Sequence, residues 1–360
     1  TISTQSPAWW HARYLPPPSY TQLFGVKKML SQLLERLEAP HDHWLVSVEG
    51  MGGLGKTAVA REVAGCLAKT ERFAGIAWTA AKQECYTQLD VKPANGVHFT
   101  FENVLDAVTD QLDEGNLSRL PACAKQDHVR ALLKARPYLV VVDNLETATD
   151  YETLPNQLWE LAGPTKFLLT SRHKVGPCNG LSTLPLGEMA EPDGLSLLRY
   201  EGYRRGMREL AQADDKVLHP ILAVTGGNPL AIKLVISQLA HLPLDQVLSA
   251  LQTVRPVAVP FYRYLYRTSW NPLSPGAKQL LVNMVLLLDD GGDWDDLLTV
   301  SGLHAADLSS AIAELTAHSL LQAWGLTEKS YHVHRLTRHF ILSQFSQQPT
   351  FQAYARQVAA

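Results

Sequence analysis

Four of the six residues from Gly50 to Gly55 are glycine, and they lie between an apolar run and a helical pattern in the stretch VSVEGMGGLGKTAVAREVA, Val46 to Ala64. Ahead of them WLVSVEG, Trp44 to Gly50, reads as a short apolar strand, and behind them KTAVAREVAGCLAK reads as a helix. Gly50, Met51, Gly52, Gly53, Leu54, Gly55, Lys56 and Thr57 also satisfy the spacing G-x-x-x-x-G-K-[ST]. Glycines let the backbone wrap closely and aim N–H groups at phosphate oxygens, and the helix start at Lys56 adds its positive dipole end. On this reading Gly50, Gly52, Gly53, Leu54, Gly55, Lys56, Thr57 and Ala58 contact the phosphates of a nucleotide. The Lys56 ammonium reaches the β and γ phosphates, and the Thr57 hydroxyl is a ligand of Mg2+.

The alternation continues with the apolar strands GIAWTAA (Gly75 to Ala81), PYLVVVDN (Pro137 to Asn144) and KFLLTSR (Lys166 to Arg172), and with the helix FENVLDAVTDQL. Near-continuous apolar strands between amphipathic helices predict an α/β domain, a parallel sheet with helices on both faces. Beyond about Leu186 the periodicity is helical. From about Phe261 the helices AKQLLVNMVLLL and AADLSSAIAELTAHS precede two short strands, LLQAW and YHVHR, the pattern of a winged-helix domain. The expected division is a linker at 1–20, a P-loop nucleotide-binding domain at 21–184, a helical domain at 185–260 and a winged-helix domain at 261–346. Residues 347–360 then begin a truncated C-terminal region.

With 360 residues, 46% of them hydrophobic, the chain can bury a sizeable core in two or three domains. A formal net charge of −3 gives no prior for nucleic acid or an acidic membrane surface. No apolar run reaches the roughly 20 residues of a membrane span. Cys66, Cys85, Cys123 and Cys178 are scattered without a CxxC pair, which points to a reducing, cytoplasmic compartment.

Asp143 ends the strand YLVVVD, where a carboxylate can hold Mg2+ through water. The next residue, Asn144, can orient water but cannot take its proton. Hydrolysis is therefore expected to be slow unless Glu146 or a group elsewhere serves as base. Arg172 ends FLLTSR at the same sheet edge and is the expected γ-phosphate sensor, the edge where open α/β sheets bind ligands. Lys56, Asp143 and Arg172 are the candidate catalytic residues.

The order GMGGLGKT, LVVVDN, LLTSR, GGNPLAI and YHVHRL resembles that of STAND-class P-loop NTPases of the NB-ARC type, over about Thr21 to Phe345. The resemblance implies that Pro229 packs against adenine or ribose, and that His334 touches the β-phosphate of bound ADP and clasps the third domain onto the first. It also implies backbone recognition of adenine around Phe24, Gly25 and Val26. Two departures stand out: Arg335 occupies the place of the family's aspartate, and Lys27 that of the glutamate in its upstream GRE element, whose arginine is Val26 here. Read locally, Gly226 and Gly227 end one helix, Asn228 caps the next, and Pro229 takes its first turn.

The function implied is a signalling switch in plant-resistance or bacterial style, holding ADP at rest and ATP with Mg2+ when active, when it self-associates. Slow ATP hydrolysis would reset it, and sensor and effector domains would lie outside this sequence. A multiple-turnover ATPase is the first alternative, which Asn144 argues against. RYEGYRRGMR, Arg199 to Arg208, could supply an arginine in trans and otherwise reads as a solvated helix face. A DNA-binding regulator is the second. From Phe261 to Phe345 six Lys/Arg face eight Asp/Glu, and Ala305 to Ser319 contains no Lys or Arg. Phosphate neutralisation needs the opposite balance.

Overall fold

The computed structural model describes residues 14–18, 20–80, 84–86, 91–93, 99–112, 122–176, 178–239, 242–252, 270–288, 291–318, 320–325, 329–333, 337–338 and 341. The chain divides into two compact units, Thr1–Gly50 with Gly55–Cys85 and Lys92–Leu186, and Met51–Leu54 with Tyr86–Val91 and Gly187–Ala360. The expected border between helical and winged-helix parts, at residues 260 and 261, lies outside the described residues.

The first unit is built on strands β1 (Leu45–Glu49), β2 (Ile76–Ala80), β5 (Leu139–Asp143), β6 (Lys166–Ser171) and β7 (Leu181–Pro185); the chain also forms the short strands β3 (Glu84–Tyr86) and β4 (Val91–Pro93), across which the unit border falls at residues 86 to 91. Five of them form one sheet in the order β2-β5-β6-β1-β7, while β3 pairs with β4. All four pairings of the five-stranded sheet are parallel. Every residue of β1, β5 and β6 is buried. Strands covered on both faces have no polar side to display, so these read as near-continuous apolar runs, with polar residues such as Glu49, Asp143 and Ser171 at their ends. The edge strand β7, LSTLP, buries only Leu184 among its five residues. Its polar make-up hid it from a search for apolar runs.

Helices α1 (Lys27–Glu38), α2 (Lys56–Leu67), α3 (Phe101–Leu112), α4 (Ala122–Ala135) and α5 (Leu154–Leu161) belong to this unit. Helix α2 buries Val59, Ala60, Val63, Ala64 and Leu67, the stripe of a helix lying on a sheet. Val104, Leu105 and Val108 of α3 pack in one core with Val140, Val142, Phe167 and Leu169 of the strands. Each such side chain contributes about 1.5–3 kcal/mol on burial. Because β6 lies between β1 and β5, the ends of three parallel strands meet at one edge. There the Gly50 N–H donates to Ser171 O at 3.2 Å.

The second unit runs through α6 (Glu191–Arg204), α7 (Arg208–Ala211), α8 (Asp215–Thr225), α9 (Pro229–Leu239) and α10 (Leu244–Gln252). It continues through α11 (Pro275–Leu287), α12 (Trp294–Ser301) and α13 (Ala305–Ala317) to the antiparallel hairpin of β8 (Leu321–Trp324) and β9 (Ser330–Val333). The two helices expected ahead of the hairpin and the hairpin itself are thus present, with α12 between those helices. Local chemistry sets the joints. Ser274 accepts from the Ala277 N–H to start α11, Asp293 and Asp296 form a reciprocal capping box on α12, and Gly302 ends α12 at φ 64°.

The arginine-rich segment of α6 differs from a plain solvated face. Arg204 and Arg205 lie 3.4 and 3.5 Å from the buried carboxylate of Glu201, with Lys233 at 3.9 Å, and Arg199 lies 2.5 Å from Asp215. A buried carboxylate needs paired charge, and Glu201 recruits it from its own helix and from α9. Among the described residues no helix is long and apolar enough to cross a membrane.

Candidate functional site

Gly50, Gly53 and Gly55 adopt φ of 150°, 83° and 98°, and Gly55 is the left-handed cap residue of α2. A Cβ on Gly55 would meet no atom within 4 Å, so its glycine is required by the backbone angle rather than by space. Lys56 follows as the first residue of α2 and is 7% exposed, its Nζ donating to Gly50 O at 2.5 Å. Burial lowers the Lys56 pKa to about 8; Glu146 and Asp143 pull it back up and Arg172 pushes it down. A buried ammonium at the start of a helix, whose first N–H groups have no partner within the helix, fits a phosphate group, whose charge would offset that burial. The loop amides and Lys56 are the groups that would hold it.

Beside the loop, the Thr57 hydroxyl donates to Asp143 Oδ1 at 2.8 Å, and Thr170 donates to the same oxygen at 2.5 Å. Asp143, at the end of β5, is 4% exposed. A hydroxyl and a carboxylate in contact are the oxygen pair that Mg2+ favours, so Thr57 and Asp143 would hold that ion. Thr170 was not anticipated. It also accepts the Asn144 N–H at 3.0 Å, fixing the turn after β5. One residue ahead of the loop, buried Glu49 accepts from Val175 N at 2.9 Å and Ser47 Oγ at 3.1 Å. Burial raises its carboxyl pKa, which those hydrogen bonds oppose.

Asn144 sits in the left-handed region at φ 60°, a conformation its short amide tolerates. That turn leads into Leu145–Thr147 and aims Glu146 at the end of β6. Glu146 Oε2 accepts the Arg172 backbone N–H at 3.1 Å, and Oε1 pairs with Arg172 Nε at 3.2 Å. The optional base of the sequence reading thus has both oxygens engaged by the expected sensor. Phe24, Gly25 and Val26 sit at the entrance to α1, with Gly25 at φ 69° and Val26 O accepting from Leu30 N at 2.9 Å.

Within the second unit, Asn228 is fully buried and does more than cap α9. Its Oδ1 accepts from Leu230 N at 3.0 Å and Ala231 N at 3.1 Å, while its Nδ2 donates to Gly52 O at 2.9 Å. Leu230 N also donates to Gly53 O at 3.3 Å. A Cβ on Gly53 would stand 2.7 Å from Asn228 Oδ1, so the loop's third glycine is required by close approach as well as by φ. Pro229 is the first residue of α9. The Thr337 hydroxyl donates to Met51 Sδ at 3.7 Å. His334 and Arg335 lie outside the described residues.

Comparison with known proteins agrees with this architecture. The profile of the NB-ARC domain family matches residues 26–179. The disease resistance protein RPP8 of Arabidopsis thaliana is 30% identical over 161 residues, which are 44% of this chain and 16% of that protein. A probable RPP8-like disease resistance protein 2 of the same plant is 27% identical over 222 residues, 60% of this chain and 23% of that protein. The chain therefore spans a small part of these relatives' length. A Walker-type ATPase of Pyrococcus abyssi shares the fold with a TM-score of 0.59 at 14% identity, over 91% of this chain and 98% of that one. Over residues 26–179 the chain thus matches the NB-ARC domain family, whose domain implies adenine-nucleotide binding, and in this region it is similar to plant disease resistance proteins.

Proposed function

We propose that this chain is the nucleotide-gated core of a signalling switch, resting with ADP and self-associating with ATP and Mg2+. The observation that carries this reading is the bond from Asn228 to Gly52 O. A side chain that caps α9 also holds the tip of the phosphate loop, so a rearranged loop alters the start of a helix. A switch needs such a contact, made differently in its two states. Bound nucleotide supplies the phosphate charge that distinguishes those states. Lys56 neutralises phosphate, Thr57 and Asp143 hold Mg2+, and Arg172 senses the terminal phosphate. Asn144 offers no carboxylate to accept a proton beside Asp143, and Glu146 is committed to Arg172. Hydrolysis on this reading is slow and resets the switch. Partner sensor and effector domains, in the manner of resistance proteins, would complete it.

The test is to denature purified protein and chromatograph the supernatant. ADP at near-equimolar amount is expected, and a nucleotide-free protein that also fails to bind ADP would end this reading. On the family resemblance His334 closes on the β-phosphate, so His334→Ala should lose the retained ADP. Unchanged retention would remove His334 from the site.

A further inference from the structure

Arg172 and Glu146 form a pair with an unusual degree of closure for residues at a ligand-binding sheet edge. The carboxylate is 1% exposed and the guanidinium side chain 16% exposed. Glu146 grips the arginine twice, through the backbone N–H at 3.1 Å and through Nε at 3.2 Å. Its own position is set by the left-handed turn at Asn144, which is fixed in turn by Thr170. The strands that deliver the two residues, β5 and β6, are hydrogen-bonded neighbours. Glu146 also acts on the phosphate lysine, since its charge is the largest neighbouring influence on Lys56 after burial itself.

We propose that Glu146 is the counter-ion from which Arg172 must be drawn to meet a terminal phosphate, and that it thereby sets the preference of this site between nucleoside diphosphate and triphosphate. The inference rests on the nucleotide reading above and adds a specificity-determining residue to it. A diphosphate leaves the pair intact. A triphosphate competes for the guanidinium, and whatever Arg172 gives to the phosphate is withdrawn from a carboxylate with no access to water. Breaking a buried pair by removing one partner is costly, so Glu146 tilts the resting chain toward diphosphate. Its role is positioning: it acts through Arg172 rather than on the ligand.

The sign of the effect separates this role from a merely structural one. A substitution that only damages the site weakens both nucleotides together. Glu146→Gln keeps the side chain's shape and its acceptor for the Arg172 N–H while deleting the charge that holds the guanidinium. Calorimetric titration of the full chain with ADP, and with a non-hydrolysable ATP analogue and Mg2+, should show the analogue binding about tenfold more tightly than to wild type, with ADP changed less than about threefold. In an Arg172→Gln background the same substitution should leave the ratio of the two affinities where it was, because the partner through which it acts is gone. An unchanged ratio in Glu146→Gln, a parallel shift of both nucleotides, or an effect that persists without Arg172 overturns the proposal. Should Glu146→Gln fail to fold, Glu146→Asp withdraws the carboxylate by one methylene and must move the ratio in the same direction, or the proposal fails. A wild-type chain that binds neither nucleotide sinks the nucleotide reading itself, whereas a wild type that binds both with an unmoved ratio in the variants sinks this inference alone.

Discussion

On the proposed function Lys56 is placed under two opposed demands: it would have to stay charged to hold phosphate, yet it is buried, with its Nζ donating to Gly50 O at 2.5 Å. Its pKa of about 8, against an ordinary 10.5, records the cost of that burial. Below about pH 8 folded and unfolded chains both carry the proton, and the folded state bears the full penalty of a buried cation. As pH rises from about 8 toward 10.5 the folded chain releases the proton while the unfolded chain keeps it, so the Lys56 contribution to stability increases with pH. On the proposed function phosphate binding would run the other way, because it would need the ammonium. Nucleotide affinity should be flat below about pH 8 and fall by up to tenfold per pH unit above it, and Lys56→Met should abolish both the affinity and its pH dependence. Titrations from pH 7 to 10 check this; a flat profile would mean that Lys56 does not gate binding. At Asp143 the expectation concerns the ion. Asp143→Ala should erase the difference between nucleotide affinities measured with Mg2+ and with a chelator, since Thr57 would be left without its carboxylate partner.

At the scale of elements, the start of α9 carries two jobs on one side chain. The amide oxygen of Asn228 caps the helix, and its nitrogen holds Gly52 O. Asn228→Ala should cost about 0.5–2 kcal/mol for the cap and about 1 kcal/mol more for the orphaned carbonyl, read as a lowered melting temperature. Asn228→Asp separates the jobs: it retains the acceptor that caps α9 but has no N–H for Gly52. Helix content by circular dichroism should hold while nucleotide retention falls; equal retention in wild type and Asn228→Asp would show that the Gly52 contact is idle. The cap was legible in the residues GGNPLAI, because glycine termination and asparagine capping are local chemistry. The bond to Gly52 was not, because it spans 176 positions of chain. The same division holds for the strands. The strands β1, β5 and β6 announced themselves as apolar runs because they are covered on both faces, whereas β7, at the sheet's edge, gave no such signal.

For the whole molecule the expected outcome is assembly. With ATP and Mg2+ the full chain should elute or weigh as an oligomer, and with ADP as a monomer, by light scattering at matched concentration. A size independent of nucleotide would leave binding without a switch. Duplex DNA should have no salt-sensitive affinity, given the acid excess from Phe261 to Phe345. What the sequence by itself determined is whatever depends on spacing and local pattern: the phosphate loop from Gly50 to Thr57, the apolar strands, the caps, and the placing of Asp143 and Arg172 at strand ends. What the tertiary structure decided is who meets whom at those ends. Placing β6 between β1 and β5 brings Thr170 to Asp143 and Arg172 to Glu146. Periodicity tells which face of a strand is buried, but it carries no information about which strand lies beside it. Strand order is chosen by the summed packing of the whole sheet, and the chemistry of the site follows from that choice.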